Sequence, residues 1–320
     1  MDKKEQIKDL WRMSFDDSEE FIELFFDRIY KDENAMTLEK DGRIVSALHI
    51  LPYTMTYYGT EISVAYIYAV CTSPEVRGQG YMRQLLEKTF KEMKYRDFAL
   101  TVTIPAEPWL FDYYRKFGFT ETFDYSLETY LQPEIPVDEP DLTVIEPEVP
   151  SLKSLYKFFD KKLRERSCGM LHTYDDFINI LRDIELSGGQ FLTALDNEEQ
   201  PVGMVFLYPS DENEKPENKH VYVKELLYND ERIKKLLLQE ATLQNNVKKA
   251  ICRVPILGAD TYRFGMACVL DTKRLIHHWN STHEYSLQDP EKMEKMDIQS
   301  LTQLLFDYPA REAYMSLMLD

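Results

Sequence analysis

The feature that most restricts the fold of this chain is a strand that runs into a glycine loop and then into a helix. Residues Ile62 to Cys71 are apolar, β-branched or aromatic almost throughout and read as a buried strand. Pro74 ends that run, a loop from Val76 to Tyr81 carries Gly78 and Gly80, and an amphipathic helix begins near Met82. The amides of such a loop and the positive end of the helix dipole converge on one small space, which suits a pyrophosphate. Gly78 and Gly80 are needed because a Cβ would hold phosphates off the backbone or forbid a left-handed turn. Arg77 can add a charge-assisted bond. Two other phosphate cradles are excluded. No Lys-Ser or Lys-Thr follows the glycines, as a P-loop requires, and the three glycines of a dinucleotide fingerprint are not at their spacing.

Around this stretch the periodicity predicts two helices over residues 5 to 31, with Asp16-Asp17-Ser18-Glu19 capping the second. Strands Ala35 to Lys40 and Arg43 to Tyr53 flank Asp41-Gly42, a hairpin turn. After the glycine loop, Leu85, Leu86, Phe90 and Met93 form the inner stripe of a helix. A strand over Phe98 to Ile104, a short helix over Trp109 to Lys116 and a strand over Phe119 to Tyr130 complete this part.

Two motifs together give the stretch a family likeness. Arg77-Gly78-Gln79-Gly80-Tyr81-Met82 resembles the acyl-CoA loop of the GNAT superfamily of N-acetyltransferases. Trp109-Leu-Phe-Asp-Tyr-Tyr-Arg-Lys-Phe-Gly-Phe119 resembles the tyrosine and Phe-Gly-Phe ending of the same fold. The resemblance implies an N-acetyltransferase with acetyl-CoA as co-substrate and an amine as acceptor. It implies an α/β (α+β) fold.

Five prolines between 132 and 150 read as an extended linker. From Leu152 to Arg253 the element order of the first part repeats: helices over Leu152 to Arg164 and Tyr174 to Ile184, then strands, a helix and a strand. The second central strand runs into Tyr228-Asn-Asp-Glu-Arg232, with no glycine and two acids where phosphates would sit. This copy reads as a structural duplicate that does not hold CoA. The tail continues with a strand over Met266 to Leu270 and helix-periodic stretches over Ile298 to Phe306 and Ala310 to Leu319. It is similar to pieces of the last domain of the enhanced-intracellular-survival (Eis-like) acetyltransferases. Those proteins carry an acetyltransferase domain, a degenerate second one and a sterol-carrier-like domain. The resemblance therefore implies tandem acyl-CoA N-acyltransferase folds with a short sterol-carrier-like remnant. The divisions are 1–131 for the acetyltransferase domain, 132–150 for the linker, 151–264 for the degenerate copy and 265–320 for the tail. A tail this short falls below a whole sterol-carrier-like domain. Eis-like proteins are oligomeric, which implies a homo-oligomer here. Their loops also accept a larger residue at the place of Met82.

Acetyl transfer from a thioester to an amine requires a held CoA, a neutral amine and a proton for the leaving thiolate. Arg77, Gly78, Gln79, Gly80, Tyr81 and Met82 are the candidates for the first task. The backbone of Tyr68, Ala69 and Val70 is expected to meet the pantetheine arm if the strand splays open there, with the Val70 N–H polarising the carbonyl. The family pattern Tyr-x-x-Phe-Gly aligns with Tyr114 to Gly118 and makes Tyr114 the proton donor to sulfur; the structural alternative is an aromatic packing on Phe117. In Eis-like enzymes the terminal carboxylate enters the site, which implies the α-carboxylate of Asp320 as base. Glu107, His49 and Glu61 are alternatives. Tyr53, Tyr57, Tyr58 and Tyr66 either line an acceptor cleft or pack in the core.

The formal net charge of −18 argues against nucleic acid and anionic membranes as partners. It is compatible with a cationic acceptor such as an aminoglycoside, a polyamine or a lysine-containing peptide, and equally with simple solubility. Cys71, Cys168, Cys252 and Cys268 show no paired spacing and read as reduced thiols of a cytoplasmic protein. No metal site is expected, and His277, His278 and His283 read as part of a polar loop. Two further readings remain open: a non-catalytic acyl-CoA-binding regulatory or interaction protein, and a transferase of a longer acyl group.

Overall fold

The computed structural model describes residues 2–147, 152–210, 213–215, 218–255, 260–283, 289–309 and 313–319. The chain forms two compact units. One comprises Met1–Phe123 with Phe264–Ala313, and the other Asp124–Arg263 with Tyr314–Leu319.

The first unit opens with helices α1 (Lys3–Arg12) and α2 (Glu19–Arg28). Asp2 accepts from the Lys3 N–H, and Ser18 from the Phe21 N–H, so each helix starts on a capping oxygen. Their buried faces meet through Trp11 and Phe25, with ring centroids 4.7 Å apart. Strands β1 (Ala35–Lys40), β2 (Arg43–Tyr57) and β3 (Thr60–Thr72) follow. Asp41 and Gly42 both take positive φ, 51° and 75°, which is the conformation a two-residue hairpin needs. The β2–β3 pairing is antiparallel from Ser46↔Thr72 to Tyr57↔Thr60.

Helix α3 (Tyr81–Tyr95), strand β4 (Leu100–Thr103), helix α4 (Pro108–Arg115) and strand β5 (Thr120–Leu131) complete the expected order. β4 lies parallel to β3, the pairing that a strand–helix–strand crossover produces. Leu85, Leu86 and Met93 of α3 pack on Leu48, Ile50, Ala65 and Ile67 of the sheet, together with Phe111, Tyr114 and Phe119.

In the second unit, strand β6 (Thr143–Ile145), helix α5 (Leu152–Arg164), strand β7 (Cys168–Leu171), helix α6 (Tyr174–Leu186) and strands β8 (Gln190–Leu195), β9 (Pro201–Pro209) and β10 (Val221–Tyr228) precede helix α7 (Glu231–Gln244) and strand β11 (Lys249–Val254). The sheet order is β6-β8-β9-β10-β11 and then the Ser126–Leu131 part of β5. Among the described residues, only β10 and β11 in it are parallel. α7 buries Ile233, Leu237 and Ala241 on one face of it, and the α5 and α6 phenylalanines Phe158, Phe159 and Phe177 form a second cluster.

The chain returns to the first unit within β12 (Tyr262–Val269), from Phe264 on, and continues with α8 (Thr272–Thr282), α9 (Pro290–Met293) and α10 (Ile298–Leu305). A two-residue strand, β13 (Ala313–Tyr314), follows. β12 pairs antiparallel with β4, from Met266↔Thr103 to Val269↔Leu100.

Three local expectations need correction, and one strand has no counterpart in the sequence reading. Thr143–Ile145, within the proline-rich stretch, is a strand because its backbone pairs with β8. Cys168–Leu171 is also a strand, one that its short length kept from view. The histidines at 277 and 278 stand on a helix, not in a polar loop. Leu275, Ile276 and Trp279 give that helix a buried stripe, and Asp271 caps it. His283, at its C-cap, donates to Asp307 at 2.9 Å. Ala313–Tyr314 is strand and residues 315–319 are not helical, with Leu317 at φ 49°.

Candidate active site

β3 and β4 are in register over only three pairs: Val64↔Leu100, Ala65↔Thr101 and Tyr66↔Val102. Beyond Tyr66 the two parallel strands part. On the other edge of β3, the register with β2 slips between Ala47↔Cys71 and His49↔Tyr68, so β3 carries an extra residue there. Ala69 sits in this bulge at φ 49°, a left-handed conformation that costs an L-residue about 1–2 kcal/mol. Tyr68, Ala69 and Val70 are half-buried, whereas the strand before them is sealed. The splay expected at these residues is therefore built from two devices: a short parallel ladder and a bulge.

The opening is closed at its base by hydroxyls from β4. Thr101 Oγ1 donates to the Ala65 carbonyl at 3.0 Å, and Thr103 Oγ1 to the Ile67 carbonyl at 3.2 Å. Tyr114 on α4 comes within hydrogen-bonding reach of Thr103. Burial raises its phenol pKa above the ordinary tyrosine value, so the group stays protonated well into alkaline solution. Its ring lies 5.6 Å from Phe119, not on Phe117, which instead takes Tyr113 at 5.3 Å.

Past the splay, β3 ends at Thr72 and a single 3₁₀ turn, Pro74–Val76, leads into the loop. Val76 is buried and anchors it, while Arg77, Gly78, Gln79 and Gly80 are exposed. Gly78 and Gly80 adopt φ 78° and 86°, and nothing lies within 4 Å of a Cβ built on either. Their requirement is thus conformational as well as one of access. Arg77 Nε donates to the Thr72 carbonyl at 3.1 Å, tying the loop to the end of the strand. α3 has Gly80 as its N-cap with no side-chain cap, and its first intrahelical bond runs from Gln84 N–H to Gly80 O at 3.1 Å. The amides of Tyr81, Met82 and Arg83 have no acceptor within the helix, which is the arrangement that binds an anion. Tyr81 and Met82 are half-buried, and Met82 packs against the core below.

The remaining candidates separate clearly. Asp320 lies outside the described residues. Glu107 and Glu61 are exposed. His49 is buried and ringed by Trp11, Phe25, Phe26 and Tyr30 at 4.9–6.3 Å. Neither of its ring nitrogens has a hydrogen-bond partner among the described residues, and burial holds its pKa down at about 3. Tyr57 and Tyr66 belong to the core, and Tyr58 donates to Asp307 at 2.6 Å.

Two supporting residues escaped the sequence reading. Thr103 had no local signal beyond its place at a strand end. Gln299, on α10, donates to the carbonyls of Arg115 at 3.0 Å and Phe119 at 2.9 Å, holding the end of α4 that carries Tyr114. Beside it, Ile298 and Cys268 lie 3.0 and 3.3 Å from where a Cβ on Gly118 would be.

Residues 1–122 match the family model of the acetyltransferase (GNAT) domain. No curated protein matches the sequence. Among solved structures, a conserved protein of Enterococcus faecalis described as a probable N-acyltransferase aligns with a TM-score of 0.72 and 15% identity, over 87% of this chain and 73% of that one. A GCN5-related N-acetyltransferase of Anabaena variabilis gives 0.70 and 15%, over 85% and 71%. The Eis1 protein of Mycobacterium abscessus gives 0.62 and 11%, over 79% and 68%. The mixed α/β architecture expected from the sequence is that of acyl-CoA N-acyltransferases. The match over residues 1–122 and the architecture shared with N-acyltransferases support the enzyme class of an N-acetyltransferase.

Proposed function

We propose that the protein transfers an acetyl group from acetyl-CoA to a primary amine of a cationic acceptor, such as an aminoglycoside, a polyamine or a lysine side chain. The observation that carries this reading is the continuity of one strand. The β3–β4 ladder stops at Tyr66, the bulge at Ala69 follows, and the same strand delivers the loop Arg77 to Met82 at the N-terminus of α3. A pantetheine arm in the splay and a diphosphate on the loop amides would use both features of the one segment. The acceptor class is supported by the net charge of −18.

In this reading the backbone of Tyr68, Ala69 and Val70 receives the pantetheine arm, and the Val70 N–H polarises the thioester carbonyl. Arg77, Gly78, Gln79, Gly80, Tyr81 and Met82 hold the diphosphate. The amine nitrogen bonds to the acyl carbon, the C–S bond breaks, and the leaving sulfur takes the proton of the Tyr114 phenol. The proton of the amine passes to a base, for which we propose the α-carboxylate of Asp320. We read residues 151–264 as a degenerate copy, because β10 leads into Asn229, Asp230 and Glu231 with no glycine. Asp230 there caps α7 by accepting from Arg232 and Ile233, filling the place where a phosphate would sit.

Calorimetry with acetyl-CoA, followed by measurement of thiol release against a panel of polyamines, aminoglycosides and lysine peptides, tests the reading. Binding with acceptor-dependent release is the expected result. Binding without release from any acceptor would favour a non-catalytic acyl-CoA module, and release only from longer acyl-CoAs a different donor. Absence of binding would overturn the proposal.

A further inference from the structure

Helix α4 carries the proposed proton donor, yet little within the helix fixes where it stands. It has eight residues, and a helix that short takes its place from its contacts rather than from its own stability. Its N-cap residue, Glu107, makes no side-chain cap bond, and only Phe111 and Tyr114 are buried. The last carbonyls of a helix have no partner inside it and must find one beyond its end. Part of that need is met by the turn that follows. The amides of Lys116, Phe117 and Gly118 donate to the carbonyls of Tyr113, Tyr114 and Arg115 at 3.2, 2.9 and 3.1 Å.

The rest comes from α10, in the same compact unit. The Gln299 carboxamide nitrogen donates both to the carbonyl of Arg115, next to Tyr114, and to that of Phe119, whose ring packs 5.6 Å from the Tyr114 ring. Two carbonyl acceptors identify this atom as the nitrogen. One side chain therefore spans the turn between α4 and β5. Gly118 within that turn, at φ 91°, comes so close to α10 that an added Cβ would stand 3.0 Å from Ile298 Cγ2. The Arg115 guanidinium also pairs with Glu121 of β5, but through a long side chain that lets the backbone shift beneath it. Gln299 grips the backbone itself. At the far end of the ring, the Tyr114 hydroxyl reaches Thr103 on β4. The phenol is thus held at two points, its hydroxyl by β4 and its backbone by α10.

We propose that Gln299 is a positioning residue for Tyr114, setting α4 at the height where the phenol proton meets the leaving sulfur. This role rests on Tyr114 being the proton donor, as proposed above. A reacting group displaced by about 1 Å can lose about a hundredfold in rate, so two hydrogen bonds at the end of so short a helix are enough to matter. The tail is then part of the mounting of the catalytic group, although no atom of Gln299 touches the reacting ones.

The test compares two changes on α10 in the full chain. Gln299→Met keeps the length of the side chain and has no N–H to donate, with Gln299→Ser as a second, smaller replacement at this half-buried position. Thr302→Val is the control. Thr302 donates to the Ile298 carbonyl at 2.7 Å and accepts from the Val269 N–H of β12 at 3.3 Å, so its loss loosens α10 without removing a bond to α4. Turnover with acetyl-CoA and an amine is expected to fall about tenfold in the Gln299 variants, with the Kd for acetyl-CoA from calorimetry nearly unchanged. Thr302→Val is expected to stay within about twofold of the wild-type turnover, even where thermal unfolding shows it to be less stable. In a Tyr114→Phe background, Gln299→Met is expected to lower turnover no further, since no proton is left to place. A tenfold loss in that background too, an equal loss in Thr302→Val, or unchanged turnover in both Gln299 variants would each overturn the proposal alone. Wild-type turnover in the single Tyr114→Phe variant would overturn the proton-donor reading, and this role of Gln299 with it.

Discussion

Thr103 donates its hydroxyl to the carbonyl of Ile67, one residue beyond the last rung between β3 and β4. That bond marks where the two strands stop being a sheet and start being a cleft. Thr103 is itself only 2% exposed, so removing the hydroxyl leaves the Ile67 carbonyl poorly satisfied in a dry place. Thr103→Val, nearly isosteric, is expected to lose about 1–3 kcal/mol in denaturant unfolding. Because the same hydroxyl reaches Tyr114, turnover should fall as well, with acetyl-CoA affinity nearly unchanged.

Tyr114→Phe keeps the ring among Phe111 and Phe119 and deletes only the hydroxyl. Turnover is expected to drop at least roughly tenfold, the lower bound for a lost general acid. Affinity for acetyl-CoA, measured by calorimetry, should not change. Since burial raises the Tyr114 pKa, the wild-type rate should show no loss near the ordinary tyrosine pKa of 10 that the Phe variant lacks. Equal turnover of the two proteins would remove Tyr114 from the mechanism.

Gly80→Ala separates conformation from space. Nothing lies within 4 Å of the added Cβ, so its cost is the backbone strain at φ 86°, about 1–2 kcal/mol. Thermal unfolding should record that loss. If the loop holds the diphosphate as proposed, acetyl-CoA affinity is expected to fall by a larger factor than the stability change alone explains, because the methyl group would stand in the open space before the Tyr81 and Met82 amides.

What could be read from residues alone was local. The hairpin at Asp41-Gly42, the glycine loop and the Tyr114 helix each depend on dihedral preferences or periodicity within a dozen residues. What could not be read was made by distant partners. Gln299 reaches back to the Arg115 and Phe119 carbonyls, and nothing near position 299 announces it. Glu225 reads as one more acid in a strand until Arg166 and Ser316 meet it in space. α8 is hidden in the sequence for a different reason: polar His277, His278, Asn280 and Ser281 outnumber its stripe of Leu275, Ile276 and Trp279. A narrow apolar face was enough to bury that helix.

His49 gives the first unit a titration of its own. The ring is fully buried and neutral, with pKa about 3 against an ordinary value of 6.5, and burial is the main cause. The sign follows from proton linkage. The unfolded chain binds a proton at this residue below about pH 6.5, while the folded chain does not bind it until about pH 3. The stability that neutral His49 contributes is therefore complete above pH 6.5 and is lost as pH falls between the two values. Each pH unit within that window removes about 1.4 kcal/mol. Carboxylates titrate in part of the same range, so the wild-type curve alone is ambiguous. The difference between the wild type and His49→Phe isolates the imidazole: the gap between their unfolding free energies should widen in favour of the variant from pH 6.5 to pH 4. The sealed setting that lowers the pKa also separates His49 from solvent. Acetyl transfer by His49→Phe above pH 7 should then match the wild type, and a loss there greater than the stability change accounts for would return His49 to the list of bases.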